Sequence, residues 1–347
     1  MIKSKTVFVI GAGASADFGL PVGDGLKTLL IAKLAIEFEE YGRSLRRGDE
    51  TVVEALRLKS RVLGDPLGNV NRFLPSARSI AANMPLALSI DNYLNDHSDD
   101  IDAIIAAKLA ITISIIEAER KSVLHIDRRH SDVIDFSKTT NSWLAAFFQI
   151  AQERVHKNDV RQIFDNISFV CFNYDRCIEQ YLYYVLQQYY RINSSEAEEI
   201  IRRLSIVHPY GMIGNLPWLN HTNSAEFGEH LHASKLSSIS DSIRTFTESV
   251  DDGIKEAIKK VLKDSLRIVF LGFGYHQQNI DLLTVEEGNN IKELLGTAYK
   301  IPSAERVYVD KSLYKAFPAI KRDHSEFTLE SSLAAEMLST NRRRLQS

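Results

Sequence analysis

Short runs of β-branched and aromatic residues alternate along this chain with longer stretches of helical periodicity. Each short run ends at glycine or at polar residues, as buried strands do. Five runs predict strands, at residues 5–10, 167–172, 204–207, 267–271 and 306–309. Because strands that alternate with helices favour a parallel sheet covered on both faces, the pattern predicts an α/β fold.

A long interruption of the strand pattern separates the first two predicted strands. Its apolar positions recur at helical spacing around residues 51–63, 101–121 and 140–155. We therefore predict one domain, residues 1–347, with a large helical insertion at residues 42–165. Further helices are predicted at residues 25–41, 178–190, 196–203 and 249–266, and residues 214–240, rich in Asn, Ser, His and Gly, are expected to form a loop.

Polar and glycine-rich segments follow four of the predicted strands directly. They are GAGAS (11–15), NYD (173–175), HPYG (208–211) and GFGYHQQNID (272–281). In parallel α/β sheets, ligands bind beyond the carboxyl ends of the strands. The recurrence of such segments at the same relative position therefore predicts a ligand site at this edge of the sheet.

The first of these segments is suited to holding a phosphate. Gly11, Ala12 and Gly13 allow the backbone to approach a pyrophosphate, and the helix that follows offers unpaired N–H groups. Counted through Ala16, the segment also fits the G-x-G-x-x-A fingerprint of dinucleotide-binding folds. A tight strand-to-helix turn without a ligand is the alternative interpretation.

A dehydrogenase would place an acidic residue at the end of a second strand, about 20 residues further on. Glu37, Glu39 and Glu40 lie near this distance, but they belong to a continuing helical pattern. The pattern therefore argues against hydride transfer.

The segments after the later strands supply candidates for chemistry. Asn173 could orient a ribose hydroxyl or a water molecule, because an amide both donates and accepts hydrogen bonds without bringing charge. His208 could accept a proton near neutral pH, although a lone histidine is more often structural. Asp175 could cap the following helix, or orient Asn173 or a ribose hydroxyl.

Gly272, Phe273 and Gly274 could contact a ribose or an adenine through backbone and ring. Asn279 and Asp281 lie a few residues further on. A glycine-bearing turn without ligand contact is the alternative for this segment.

Composition excludes several classes of protein. With 42 Lys and Arg against 45 Asp and Glu, the chain lacks the basic excess of a nucleic-acid-binding protein, and the run Arg342-Arg343-Arg344 is expected to be a solvated terminus. Cys171 and Cys177 are too few for a disulfide framework or a four-cysteine zinc site. The apolar stretch at residues 103–119 is too short and too charged to span a bilayer. We expect a cytoplasmic protein with no metal and no membrane partner.

Taken in order, these segments resemble the sirtuin-like domain family, and more narrowly the bacterial sirtuin-like proteins of antiphage defence. The matching pieces are GAGAS with GLP after it (19–21), NYD, HPYG and LGFGYHQQNID (271–281), and SIDNYL (89–94) is similar to a segment that precedes the helical insert in that branch.

The resemblance implies a Rossmann-like fold that binds NAD as its substrate. It places the family's asparagine on Asn173 and its catalytic histidine on His208. It also implies nucleotide-binding positions, which are Gly11, Ala12, Gly13, Ser15, Pro21, Asp175, Gly211, Gly272, Phe273 and Gly274.

Two departures distinguish this chain from the sirtuin deacetylases. It lacks their four-cysteine zinc module, and ADFGLPVGDG stands where they carry a longer Asp-Phe-Arg segment. The defence branch therefore fits better. It implies NAD hydrolysis to nicotinamide and ADP-ribose, which depletes NAD in infected cells, and it implies a homo-oligomer that can work with a phage-sensing protein or a ring-forming ATPase.

The expected mechanism breaks the bond between nicotinamide and ribose through an oxocarbenium-like transition state. Asn173 positions the ribose or the water, His208 acts as general base, and Gly11, Ala12, Gly13 and Ser15 hold the pyrophosphate. A module that senses NAD or ADP-ribose without cleaving NAD is the main alternative, and a protein deacylase is a further one.

Overall fold

The computed structural model describes residues 1–39, 44–245, 248, 250–285, 289–320 and 327–347. Its strands are β1 (Thr6–Ile10), β2 (Glu37–Phe38), β3 (Leu45–Arg47), β4 (Ile167–Cys171), β5 (Ser205–Val207), β6 (Arg267–Leu271), β7 (Glu293–Thr297) and β8 (Phe327–Glu330). Its helices are α1 (Ala12–Ser15), α2 (Asp24–Leu34), α3 (Glu50–Val62), α4 (Leu74–Asn83), α5 (Ile90–Asp96), α6 (Ile101–Lys121), α7 (Trp143–Ala151), α8 (Cys177–Tyr190), α9 (Ser194–Arg203), α10 (Ala233–Ile239), α11 (Asp252–Lys263), α12 (Gln277–Leu283), α13 (Ser303–Ala316), α14 (Ala334–Thr340) and α15 (Arg342–Leu345).

A six-stranded parallel sheet forms the centre of the molecule, in the order β5-β4-β1-β6-β7-β8. Numbered by their sequence within this sheet, the strands run 3-2-1-4-5-6, which is the order of Rossmann folds. The order reverses between β1 and β6, where such folds bind their ligands. The predicted α/β, Rossmann-like fold is confirmed by this topology.

Helices cover both faces of the sheet, and the side chains of β1 therefore contribute to two separate apolar cores. Phe8 and Ile10 point into one apolar cluster, and Val7 and Val9 point into the other. All five residues of β1 are buried, as are all five of β6. A continuous run of apolar residues is what a strand buried on both faces requires.

The chain between β3 and β4, all of which the structure describes, contains the helices α3 to α7, three 3-10 helices and no strand. Polar side chains cap four of the α-helices: Asp49 for α3, Ser89 for α5, Asp100 for α6 and Ser142 for α7. The division into one domain with an insertion at 42–165 stays a prediction, and residue 42 itself lies outside the described residues.

A fully buried ion pair ties this helical region to the sheet. Arg176, just before α8, pairs with Glu119 of α6, and neither side chain is exposed. The same guanidinium donates to the carbonyl oxygens of Ala225 and Glu226. Because a buried charge must be satisfied on all sides, this pair fixes α6 beside the loop that follows β4.

The predicted helix at 25–41 ends early. The helix α2 stops at Leu34, and Glu37–Phe38 pairs antiparallel with Leu45–Arg47 in a small separate sheet. Gly48, at φ 101°, follows β3 in the short turn that leads into α3. Glu37 is thus in a strand after all, but not in a strand of the parallel sheet, and Glu40 lies outside the described residues.

Two further predictions, the strand at 306–309 and the loop at 214–240, are wrong. Residues 306–309 lie inside α13, where Val307 and Tyr308 are exposed, and the outer strands are β7 and β8. Pro302 precedes α13 and favours a helix start there. The predicted loop at 214–240 contains α10, whose Leu236 is fully buried in the core.

Candidate functional site

A cavity of about 330 Å³ lies beyond the carboxyl ends of β1, β4 and β6, at the reversal of strand order. Most sequence-predicted site residues line it: Gly11, Ala12, Gly13, Ser15, Pro21, Asn173, Asp175, Gly272, Phe273 and Gly274. His208 and Gly211 do not line it. The volume is at the lower end of the ~300–1,000 Å³ typical of small-molecule sites.

Two glycine-bearing turns form the floor of the cavity and interlock. The Gly13 N–H donates to Gly272 O at 2.9 Å, and a Cβ on Gly272 would lie 2.0 Å from the nitrogen of Ala14. Gly272 also has φ 57°. These glycines are therefore required by backbone packing between the turns, whatever ligand binds above them.

This packing narrows which N–H groups can hold a phosphate. The Gly11 N–H is bonded to Leu271 O at 3.0 Å, and that of Gly13 is bonded to Gly272 O. The following helix is also short, since α1 spans four residues and is followed by one 3-10 turn, Ala16–Phe18. An anion here would depend on other donors of the turn, such as the N–H of Ala12.

Asn173 is held at the cavity wall by a buried polar network. Its Nδ2 donates to Gly11 O at 3.0 Å and to Ser15 Oγ at 2.8 Å. Ser15 Oγ donates to Asp175 Oδ2 at 2.6 Å. Because Gly11 O can only accept, the amide orientation is fixed, and Oδ1 accepts no hydrogen bond from the described residues. The network thus leaves one oriented acceptor at the cavity.

Asp175 accepts hydrogen bonds at both oxygens of its carboxylate. Its Oδ1 accepts from the N–H of Cys177, the first residue of α8, at 3.1 Å. Its Oδ2 accepts from Ser15, which in turn contacts Asn173. Both carboxylate oxygens are therefore engaged in positioning the asparagine.

His208 lies behind Asn173 and away from the cavity, and only 8% of it is exposed. Its Nδ1 is 3.2 Å from the main-chain oxygen of Asn173, and its Nε2 is 2.9 Å from Glu179 Oε1. Both neighbours are acceptors, so both ring nitrogens donate and the ring is an imidazolium. In this arrangement His208 has no lone pair with which to take a proton.

The charges around His208 agree with this protonation state. Burial alone would lower the pKa of His208, but the hydrogen bond with Cys171 and the carboxylate of Glu179 outweigh it and hold that pKa well above the usual value. Burial raises the pKa of the Cys171 thiol, which stays protonated at neutral pH. The second oxygen of Glu179 is buried and has no hydrogen-bond partner among the described residues.

Gly211 has a structural reason for being glycine. Its φ is 72°, and a Cβ there would lie 2.1 Å from Ser242 O, where the chain forms a bridge with Ile243. Phe273, by contrast, lines the cavity while packing on Phe172, with ring centroids 5.2 Å apart.

The cavity also contains polar residues outside the predicted set. These are Lys27, Ser89, Asp91, Tyr174, Tyr210, His276 and Asn279. Asn279 and Asp281 both follow the Gly272–Gly274 turn in the sequence. Asn279 lines the cavity and accepts a hydrogen bond from the Tyr210 hydroxyl at 2.8 Å, whereas the Asp281 carboxylate accepts one from Gln277 on the surface.

Asp91 is the most informative of these residues. It stands in the first turn of α5, which Ser89 caps by accepting from the N–H of Asn92 at 3.1 Å. Burial raises the pKa of Asp91 to about 6. In the sequence, an acid just after a capping serine is typical of any helix start, so no local signal identified it.

Comparisons with known proteins are sparse. No family model matches the chain, and no curated protein matches it. One solved structure that it resembles is the crystal structure of a Sir2 homolog–NAD complex, at 11% identity and a TM-score of 0.40, over 99% of this chain and 90% of that one. This likeness is too low to support a ligand or a reaction, and the strand order alone establishes the fold.

The described residues show neither a metal-binding group nor a membrane-spanning helix. They contain no group of His, Cys, Asp and Glu side chains arranged to hold a metal ion. Nor does any helix among them have the length and apolarity needed to cross a bilayer. The absence of a metal cofactor stays a prediction.

Proposed function

We propose that this chain is an NAD glycohydrolase, which splits NAD into nicotinamide and ADP-ribose. The observation that carries the proposal is the pinned amide of Asn173, with its Oδ1 turned to a cavity at the strand-order reversal. Cavities at this point of Rossmann folds accommodate dinucleotides. An oriented acceptor there suits a ribose hydroxyl or a water molecule.

The residues around the cavity fit such a substrate. The Ala12 N–H and Lys27 offer donors for the pyrophosphate, and Phe273 offers an apolar surface. The turns at Gly11–Gly13 and Gly272–Gly274 would bring main-chain atoms close to the bound molecule, and Pro21 also lines the cavity. In this proposal, Asn173 binds the ribose, and His208 supports Asn173 from behind. Gly211 fixes the conformation of the loop after β5.

The sequence resemblance supports a wider proposal. We propose that NAD loss in infected cells is the biological purpose of the reaction, as in the sirtuin-like defence proteins. The same resemblance supports a cytoplasmic setting, a homo-oligomer, and cooperation with a phage-sensing protein or a ring-forming ATPase. The assay should therefore be run with and without phage lysate.

The decisive experiment measures nicotinamide released from NAD by the wild type and by Asn173→Ala. We expect release by the wild type and a loss of about 10²–10³-fold in the variant, because one oriented polar group at the reacting centre is worth that much. Asn166→Ala is the matched control, since Asn166 lies just before the other end of β4 and bonds Ile2 O. Equal rates for wild type and Asn173→Ala would contradict the proposal.

A second candidate function has one observation in its favour. Both nitrogens of His208 are engaged away from the cavity, so the site as it stands holds no imidazole base from that residue. A module that senses NAD or ADP-ribose would bind NAD and release no nicotinamide in any condition. A deacylase would release nicotinamide only when an acyl-lysine peptide is present.

A further inference from the structure

Two carboxylates line the cavity within the described chain, and they differ in their partners. Both oxygens of Asp175 accept hydrogen bonds, from Cys177 N and Ser15 Oγ. Asp91 has a hydrogen bond with its own backbone and one long side-chain contact, 3.5 Å from its Oδ1 to the hydroxyl of Tyr174. That hydroxyl also donates at 2.8 Å to Arg244 O, which is the better acceptor by distance. Asp91 is therefore the carboxylate with acceptor capacity to spare.

Asp91 and Asn173 line the same cavity from different elements. Asp91 belongs to α5, in the helical region, whereas Asn173 follows β4 in the sheet. Tyr174, the residue after Asn173, links the two elements through its contact with Asp91.

We propose that Asp91 is the general base of the NAD hydrolysis described above, so this inference rests on that proposed function. In the step, a water oxygen forms a bond to C1′ of the nicotinamide ribose. The C1′–N bond breaks, and its electron pair leaves with neutral nicotinamide. Asp91 takes the proton of the water and later releases it, so each turnover yields nicotinamide, ADP-ribose and one proton.

His208 then becomes a positioning residue. Its imidazolium donates to the main-chain oxygen of Asn173 and to Glu179, and it faces away from the cavity. A base needs a free lone pair within reach of the water, directly or through one bridging water. Asp91 has that capacity on the cavity surface, and His208 lacks it in this arrangement.

The acidity of Asp91 suits the task. With its pKa raised to about 6 by burial, the carboxylate is ionised at neutral pH and is a better base than an ordinary aspartate. The other titratable groups that line the cavity with it are Lys27, Tyr174, Asp175, Tyr210 and His276. Lys27 is paired with Asp24 at 2.8 Å and with Ala87 O, and burial raises the pKa of Tyr210 further above its usual value.

The test compares Asp91→Asn with Asp96→Asn, an exposed residue on the same helix. We expect Asp91→Asn to lower kcat by about 10²–10⁴-fold, the contribution of a general base, while ADP-ribose binding by calorimetry is retained. In the wild type, log kcat should rise with pH up to about 6 and then level off. That acid limb should vanish from the residual activity of Asp91→Asn and persist in Asp96→Asn.

Each other outcome overturns the proposal. Nicotinamide release by Asp91→Asn at the wild-type rate removes Asp91 from the reaction but leaves the proposed function standing. Loss of the acid limb in His276→Gln, with the limb kept in Asp91→Asn, transfers the role to His276. A wild type that binds NAD and never releases nicotinamide overturns both this inference and the proposed function.

Discussion

The side chain and the main-chain oxygen of Asn173 face two clusters of different character. In front, the side chain joins Ser15 and Asp175 in a network that ends at the cavity. Behind, the main-chain oxygen meets His208, which pairs with Glu179 in a sealed interior. The front cluster leaves an acceptor open to a ligand, whereas the rear cluster pairs its two charges with each other.

The difference teaches that the same strand end presents an open acceptor on one side and a buried, paired charge on the other. A charged ring buried behind the Asn173 amide costs desolvation, and the cost is offset only by its two acceptors. The front cluster should therefore govern activity, and the rear cluster should govern stability and its dependence on pH. The following substitutions test this division, beginning with the largest effect.

Gly272→Ala should have the greatest effect on stability. Its Cβ would lie 2.0 Å from the nitrogen of Ala14, at a φ of 57° that disfavours a side chain, and backbone on both sides must move. We expect a loss of about 4 kcal/mol or more in the free energy of unfolding, seen by urea denaturation. Gly274→Ala is the control, because its Cβ meets only the mobile end of His276. Similar losses in both variants would contradict the interlocked turns.

His208→Gln should destabilise the protein by about 3 kcal/mol at pH 6, since it leaves Glu179 buried without a partner. The pKa of His208 is raised on folding, so its stabilising contribution is fully present below the unfolded pKa of about 6.5 and is lost as pH rises through the folded pKa. The deficit of the variant should therefore shrink at high pH. Urea melts from pH 6 upward measure this.

The control for His208→Gln is His130→Gln, an exposed histidine beside Asp127. That change should leave the free energy of unfolding within about 0.5 kcal/mol of the wild type at every pH. A deficit of His208→Gln that stays constant with pH would show that the buried ring is neutral.

Ser15→Ala removes the link between Asn173 and Asp175. We expect a loss of about 1–2 kcal/mol in stability and a larger proportional loss in nicotinamide release, because the amide is then held by Gly11 O alone. Ser137→Ala, which breaks an exposed serine–aspartate bond, is the matched control. Lost stability with unchanged kcat in Ser15→Ala would separate the network from the reaction.

Asp91→Asn should change stability by no more than Ser15→Ala does, and in the opposite direction. The pKa of Asp91 is raised on folding, so its carboxylate disfavours the folded state above pH 6 and not below about pH 4. We expect the variant to be more stable than the wild type by about 1–2 kcal/mol at pH 7.5, after allowance for partial exposure, and equal at pH 4. Thermal melts at the two pH values test the sign.

The sequence predicted the middle of the sheet well and its edge poorly. The strands β1, β4 and β6 are continuous apolar runs, because they are buried on both faces. By contrast, β7 (ELLGT) and β8 (FTLE) are mixed in polarity, so no hydrophobic pattern marked them as strands. The pattern at 306–309 misled because β-branched and aromatic residues also occupy the exposed side of α13.

The site was predictable where it depends on strand ends. Asn173, Ser15 and Gly272 follow strands whose pairing the fold class already implies. Two features depend on tertiary packing and could not be read from local sequence: the direction in which the ring of His208 points, and the presence of Asp91 at the cavity. Asp91 comes from the helical region, and its distance in sequence from Asn173 gives no sign of their proximity.

The position of β1 has a consequence for the life of the protein during synthesis. In the chain β1 precedes β4 and β6, which are its neighbours in the sheet, and the turn at Gly11–Gly13 packs against Gly272. Such pairing across long sequence distances is slow, and it cannot begin before the later strands leave the ribosome. A nascent chain therefore has no cavity until most of its length exists. If the protein consumes NAD, a chain still in synthesis would not yet do so. A truncated product without the later strands would not do so either.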